Sequence, residues 1–199
     1  MLHQPIPLIL ASGSSIRQDM LRRVGLAFSV VPSGVDEDIL KHELASATVA
    51  ERALALAKAK ALAVAATHPE HLTIGADQMC ALEGIVFDKP GSYAAAEAQL
   101  AQLAGRTHTQ TSAVVLARGG TIVWSHVGVA RLTMRTLTAA EITAYAAADA
   151  PLQSCGAYKL EAMGRHLFSS IEGDNDTIQG LPLIPLLAEL HAQGAIALA

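Results

Sequence analysis

Short apolar runs of strand length alternate along this chain with segments whose apolar residues recur at helical spacing. Residues 7–11 form the first apolar run, a Ser/Gly loop follows at 12–15, and helical spacing then continues to Gly25. Residues 26–35 again have the pattern of a strand and end at an acidic triplet, 36–38. A strand, a Ser/Gly loop and a helix N-terminus in this order predict a place that can hold an anion.

The rest of the pattern predicts further helices, two hairpins and one irregular stretch. Turn signals at Glu83-Gly84 and Gly119-Gly120 each separate two strands. The predicted helices cover 45–66, 92–103, 138–148 and 184–193, the predicted strands cover 72–76, 85–87, 111–116 and 121–132, and 154–182 is Gly-rich and irregular. Strands that alternate with helices and also form antiparallel hairpins predict an α/β fold with a mixed sheet.

Composition narrows the class of protein. The chain has 199 residues, of which 51% are apolar and 16% charged, so we expect one folded domain over 1–199 without a separable linker and exclude a disordered chain. A net charge of −4 argues against binding a nucleic-acid polymer. No apolar run approaches the roughly 20 residues that span a membrane. Two cysteines without a CxxC pattern, and no signal-peptide pattern, predict a cytoplasmic location.

The first chemical candidates are Ser14 and Arg17, at the predicted start of the first helix. A helix N-terminus offers free backbone N–H groups and a partial positive charge, both of which attract phosphate. Ser14 can add a hydroxyl donor, and Arg17 can add a bidentate guanidinium. The alternative is an ordinary N-cap, formed by Ser14 or Ser15, with Arg17 on a solvated face.

Asp77 is the second candidate, because it directly follows the apolar run 72–76. An acid at the end of a buried strand lies where open α/β sheets bind ligands, and it needs a cation, a metal or N–H donors there. Lys89, across the predicted hairpin, could return to the same end of the strand. The alternative is a structural Asp that starts a turn.

The acidic triplet 36–38 could share a Mg²⁺ ion with Asp77, although such triplets are usually solvated loops. Lys58 and Lys60 lie two positions apart on a predicted helix, so at most one of them faces a site. The alternative for each is a lysine lying along an alanine face. The eight histidines show no zinc-type spacing, and Cys80 and Cys155 are expected to be small buried side chains.

Taken in order, these segments resemble the Maf family of nucleoside triphosphate pyrophosphatases over nearly the whole chain. The segments that carry the resemblance are LILASGSSIR at 8–17, VDE at 35–37, AKAKA at 57–61, IGADQ at 74–78, KP at 89–90, GRTH at 105–108, CGAY at 155–158, IEG at 171–173 and GLPL at 180–183. The family is similar to the inosine triphosphate pyrophosphatases. The resemblance therefore implies a long mixed sheet with flanking helices and two lobes around a cleft.

The resemblance also implies a reaction and a set of roles. Maf proteins hydrolyse a nucleoside triphosphate between the α and β phosphates, using Mg²⁺ or a similar ion such as Mn²⁺ or Co²⁺. By match of motif, Asp77 is the general base and a metal ligand, and Glu37 is a second metal ligand. The implied phosphate ligands are Ser14, Arg17, Lys60 and Lys89. A homodimer is also implied.

Three positions bear on the choice of base. Gln78 and Glu161 look like the branch that acts on 7-methyl-GTP, and a carboxylate suits the N–H donors and positive charge of that base. The dTTP/UTP branch tends to carry Thr and Gln there, and it stays open as the alternative. Ile16 departs from the methyl-GTP branch, where a Trp could stack on the cationic base. A further alternative is a nucleotide-binding, division-related regulator without significant turnover.

Overall fold

A computed structural model describes residues 2–198 of the chain. Its helices are α1 (Ser15–Arg23), α2 (Glu37–Glu43), α3 (Val49–Ala65), α4 (Tyr93–Leu103), α5 (Ala139–Asp149), α6 (Asn175–Gln179) and α7 (Leu183–Ala192). Its strands are β1 (Leu2–His3), β2 (Leu8–Leu10), β3 (Phe28–Val30), β4 (Leu72–Leu82), β5 (Ile85–Phe87), β6 (Thr107–Arg118), β7 (Thr121–Met134), β8 (Phe168–Glu172) and β9 (Ala197–Leu198). A 3₁₀ turn covers Met163–Leu167.

The main sheet has seven strands in the order β3-β2-β4-β6-β7-β8, with β5 paired to β4. Strand β2 runs parallel to both β3 and β4, whereas β5 is antiparallel to β4 and β8 is antiparallel to β7. The short strands β1 and β9 form a separate antiparallel pair. The predicted α/β class with a mixed sheet and flanking helices is therefore confirmed.

Local signals placed most of the helix starts and turns correctly. Thr48 and Thr138 each form a complete capping box with the Glu three residues later. Gly119 and Gly120 both have positive φ at the turn between β6 and β7, as a two-residue hairpin requires. Helix α2 and the elements α6 and β8 were not predicted, because their segments carry no long periodic pattern.

The described residues form two compact units. Unit 1 consists of residues 2–77, 112–128 and 180–198. Its core packs α1 and α7 with strands β2, β4 and β6, and its largest fully buried side chains include Leu8, Leu10, Leu21, Leu72, Ile74 and Leu116. Within residues 2–198 we find no helix that is long and apolar enough to cross a bilayer.

Unit 2 consists of residues 78–111 and 129–179. Its core packs α4 and α5 with the strands of this unit, around Leu100, Leu103, Leu132 and Met134. Cys80 is fully buried there, as predicted, whereas Cys155 is half-buried. The same core contains a polar pair, in which His108 Nε2 lies 2.9 Å from the Tyr158 hydroxyl.

The buried imidazole of His108 predicts how stability depends on pH. His108 is 1% exposed, and burial lowers its pKa from 6.5 to about 4. The unfolded chain therefore binds a proton at pH values where the folded chain does not. This contribution to the free energy of unfolding is fully present above pH 6.5 and falls by roughly 3 kcal/mol in all as the pH drops to about 4.

The measurement is urea unfolding between pH 4 and 7 for the wild type and for His108→Gln, which keeps a hydrogen-bonding group beside Tyr158. We expect the variant to lose this part of the pH dependence. His191→Gln, at an exposed position, is the matched control and should keep the wild-type slope. An unchanged slope in His108→Gln would contradict the assignment of the pH dependence to His108.

Candidate active site

An ion-paired cluster in unit 1 brings together three of the residues singled out in the sequence. Lys60 Nζ lies 2.7 Å from Asp77 Oδ1 and 2.8 Å from Glu37 Oε1. Asp77 is 6% exposed and Lys60 is 7% exposed, whereas the side chain of Glu37 is 43% exposed. Two carboxylates therefore converge on one buried ammonium group, with Glu37 on the more open side.

Helix α3 supplies Lys60 because its buried face is made of small side chains. Ala53, Ala57 and Ala61 are all fully buried. Opposite them, Gly75 of β4 leaves no room for a side chain, because a Cβ built there would lie 2.7 Å from Ala61 Cβ. This close approach of helix and strand brings Lys60 within hydrogen-bonding distance of Asp77.

Asp77 does not lie where the sequence suggested. The apolar run 72–76 was expected to end at this residue, but β4 continues through it to Leu82. Both expectations, a strand end and a turn start, were therefore wrong. The strand tolerates a buried acid because the ammonium of Lys60 compensates its charge.

The carboxyl of Asp77 is electrostatically perturbed. Burial raises its pKa above the usual range, and the charges of Lys60 and Arg17 act in the opposite direction. A raised carboxyl pKa with a cationic partner is typical of groups that exchange protons in enzymes. Of the two lysines considered on α3, only Lys60 belongs to this cluster; Lys58 is half-buried and lines a groove with Leu44 and Glu51.

Helix α2 places Glu37, and the acidic triplet is not a solvated loop. Asp36 is the N-cap of α2, and its side chain accepts hydrogen bonds from the backbone N–H groups of Asp38 and Ile39. Glu37 is the first residue of the helix. Sequence periodicity could not find this helix, because it has seven residues and none is fully buried.

Arg17 is buried rather than solvated, so the alternative of a surface arginine was wrong. Its Nε donates to the carbonyl of Gly180 at 2.8 Å, and its Nη1 donates to Ser12 Oγ at 3.1 Å. Ser12 Oγ also accepts from the backbone N–H of Ser14, at 3.3 Å. Ser12 was missed by the sequence analysis, although its place in the Ser/Gly loop was a signal.

Ser14 is the N-cap residue of α1, as the alternative proposed, but its side chain makes no capping hydrogen bond to any residue in the described range 2–198. The first turn of α1 carries no acidic residue. The start of this helix therefore combines backbone N–H groups that have no acceptor within the helix with the guanidinium of Arg17, three positions after Ser14. Such a start attracts anions.

The sequence matches the family description "Maf-like protein" over residues 7–193. The chain belongs to the Maf family. Curated relatives named "Nucleoside triphosphate pyrophosphatase" include one from Bradyrhizobium diazoefficiens, 48% identical over 96% of both chains. Another, from Legionella pneumophila, is 41% identical over 94% of both chains. A solved structure titled "Structure of a HAM1 protein from Coxiella burnetii" is 14% identical, with a TM-score of 0.41 over 65% of this chain and 73% of that one.

Of the remaining residues that the Maf resemblance singled out, three belong to unit 2 and one belongs to unit 1. Lys89 and Glu161 belong to unit 2, and both are exposed. Gln78 also belongs to unit 2; it is half-buried, and its side-chain amide donates to Gln110 Oε1 at 3.0 Å. Ile16, on α1, is half-buried against the apolar core of unit 1.

The residues of this cluster suit a hard divalent cation that also binds a substrate. Among the described residues, no group of three or more His, Cys, Asp or Glu side chains has the arrangement of a complete metal site. Mg²⁺ is commonly held by one or two carboxylates together with water and substrate phosphates. Asp77 and Glu37, which meet at Lys60, fit that donor set.

Proposed function

We propose that this Maf-family protein hydrolyses the α–β phosphoanhydride of a nucleoside triphosphate, giving a nucleoside monophosphate and diphosphate. The observation that carries the proposal is the buried Asp77–Lys60 pair with Glu37 beside it. It occurs in a chain whose curated relatives, at 41–48% identity, are named for this activity. A carboxylate and an ammonium group held side by side can accept a proton from water and bind a phosphate group in the same site.

Each residue of the cluster has a role in this proposal. Asp77 takes a proton from the water that attacks phosphorus, and its raised pKa suits it to that step. Lys60 and Arg17 balance the charge of the phosphate chain, with Ser14 and Lys89 as further ligands. Asp77 and Glu37 would hold Mg²⁺, or Mn²⁺ or Co²⁺ in its place, which neutralises phosphate charge when bound. Most of the rate enhancement then comes from position and charge.

The proposed substrate is 7-methyl-GTP or another modified nucleotide. Gln78 and Glu161 support it, because a carboxylate accepts from the N–H donors of guanine and faces the positive charge of the methylated ring. The alternative is dTTP or UTP, and it stays open because Ile16 departs from the methyl-GTP branch: it cannot stack on a cationic base as an aromatic ring would. We also propose a homodimer, from the family resemblance, and a cytoplasmic location, from the cysteine usage.

The test is diphosphate release from 7-methyl-GTP, GTP, dTTP, UTP, CTP and ATP, with Mg²⁺ and with a chelator. Fastest release from 7-methyl-GTP supports the proposed base. Fastest release from dTTP or UTP shows that the proposed base is wrong and the proposed reaction is right. Full activity in the presence of the chelator contradicts the proposed metal dependence. If the folded protein releases diphosphate from none of these nucleotides, the alternative of a nucleotide-binding regulator is favoured.

Glu161→Gln tests the assigned base directly. The exposed carboxylate is replaced by a neutral amide of the same shape, so its negative charge and one of its two acceptor oxygens are lost. We expect kcat/KM for 7-methyl-GTP to fall about tenfold relative to dTTP, the equivalent of one charge-assisted hydrogen bond. Glu172→Gln, at another exposed glutamate of unit 2, is the control. An unchanged ratio removes Glu161 from base selection.

A further inference from the structure

Four polar side chains form a continuous hydrogen-bonded chain inside unit 2. Gln78 Nε2 donates to Gln110 Oε1 at 3.0 Å, and Gln110 Nε2 donates to the Tyr158 hydroxyl at 2.9 Å. The Tyr158 hydroxyl lies 2.9 Å from His108 Nε2. Gln110, Tyr158 and His108 are at most 4% exposed. Water therefore has little access to these bonds, and each one restricts the next.

Two backbone carbonyls fix the direction of this chain. Gln110 Nε2 also donates to the carbonyl of Cys155 at 3.2 Å, and Gln78 Nε2 donates to the carbonyl of Ile178 at 2.5 Å. A backbone carbonyl can only accept, so each glutamine has to turn its NH₂ group toward its anchor. Gln110 Oε1 is then the atom that faces Gln78.

The far end of the chain agrees with this direction. The Tyr158 hydroxyl accepts from Gln110, so its own proton is available for His108 Nε2. That arrangement needs a neutral imidazole, and burial of His108 favours the neutral form. Every donor of Gln78, Gln110 and Tyr158 therefore meets an acceptor, and the ring proton of His108 is left on Nδ1, which has no partner among the described residues.

One polar atom of Gln78 remains unused. Both N–H groups of its amide are engaged, by Gln110 and by the carbonyl of Ile178. Its Oε1 bonds to no residue in the described part of the chain, and it is not one of the unpaired polar atoms sealed in the interior. Gln78 therefore presents solvent with an acceptor and not a donor.

We propose that Gln110 is a positioning residue that holds the Gln78 amide with its carbonyl oxygen toward the substrate. Gln78 then selects nucleotides whose base offers an N–H donor. This inference rests on the proposed function, in which Gln78 contacts the base. In this inference Gln110 determines that Gln78 presents its carbonyl oxygen, and not its NH₂ group, to the base.

The wild-type enzyme gives the first test, without any substitution. Diphosphate release is measured for 7-methyl-GTP, GTP, ITP, ATP, dTTP, UTP and CTP, and for two analogues whose bases carry no N–H, purine riboside triphosphate and pyrimidin-2-one riboside triphosphate. We expect the best N–H-bearing nucleotide to exceed the analogue of the same ring class about tenfold in kcat/KM. Equal use of the analogues overturns the inference and leaves the proposed function standing, whereas silence with every nucleotide overturns both.

Gln110→Met gives the second test, because it keeps the length of the side chain and removes both ends of the amide. Gln78 then loses one anchor, and we expect the N–H preference to fall about fivefold, the equivalent of one hydrogen bond. The loss should be confined to N–H-bearing nucleotides. General damage to the fold would instead lower kcat/KM for all substrates by the same factor, and that result overturns the assignment.

Two further variants sharpen this result. Gln110→Glu keeps an acceptor oxygen facing Gln78 but loses the N–H donor to the carbonyl of Cys155, so it should retain more of the preference than Gln110→Met. Thr109→Val, next along β6, removes a hydrogen bond from Thr109 to the carbonyl of Ala81 without touching the glutamine chain. It should keep the full preference. If neither Gln110 variant folds, the wild-type comparison alone decides.

Discussion

Replacing Asp77 by Asn should lower diphosphate release by roughly a thousandfold, the loss expected when a general base is removed. The substitution keeps the shape of the side chain and removes its negative charge. Lys60 retains Glu37 as a partner at 2.8 Å, so the ammonium is not left without a counter-charge. We therefore expect the fold to survive and the nucleotide still to bind.

The measurement combines single-turnover hydrolysis, calorimetric nucleotide binding and thermal unfolding. Asp38→Asn is the matched control, because Asp38 is an exposed acid one residue after Glu37. It should retain activity within about twofold, as expected for a surface position. Loss of hydrolysis with intact binding supports the enzyme over a binding protein. Unaltered hydrolysis in Asp77→Asn would remove Asp77 from the mechanism.

A single methyl group at Gly75 should damage both stability and activity. A Cβ there would lie 2.7 Å from Ala61 Cβ and 2.8 Å from Ala61 N. Helix α3 cannot yield locally, because the opposing atoms include its own backbone. We expect Gly75→Ala to lower the free energy of unfolding by about 3 kcal/mol, at the upper end of the cost of overpacking a core.

If the added methyl group pushes helix α3 away from β4, Lys60 moves away from Asp77. We therefore expect kcat to fall in the fraction of the protein that still folds. Denaturant unfolding and specific activity per folded molecule check the two effects separately. Gly13→Ala is the control for stability, because a Cβ at Gly13 meets nothing within 4 Å. A Gly75→Ala protein as stable as the wild type would show that α3 can move back from β4 at little cost.

Local chemistry explains why much of the fold could be predicted from the sequence. The capping boxes at Thr48 and Thr138 and the Gly119-Gly120 turn are complete within a few residues, so their meaning does not depend on the rest of the chain. Helix α2 could not be predicted in this way. It is a short surface helix whose main signal, the cap at Asp36, was hidden inside an acidic triplet.

The candidate site was harder, because its partners are distant in sequence. Asp77 seemed to end a strand, since nothing near it reveals the ammonium that lets the strand continue. Motif resemblance supplied Glu37, Lys60 and Arg17, whereas their geometry came only from the structure. Gln110 carried no motif, and its role depends on the carbonyl of Cys155, 45 positions away.

The division of the chain into units has a consequence for the order in which the protein can fold during synthesis. Unit 2 lies wholly within residues 78–179, so its core can close once that stretch has left the ribosome. Unit 1 begins first but is finished last, since Leu183, Leu186 and Leu190 of α7 complete its core. Until then its apolar strands wait exposed, so nascent unit 1 is the part of this chain that most needs protection from aggregation.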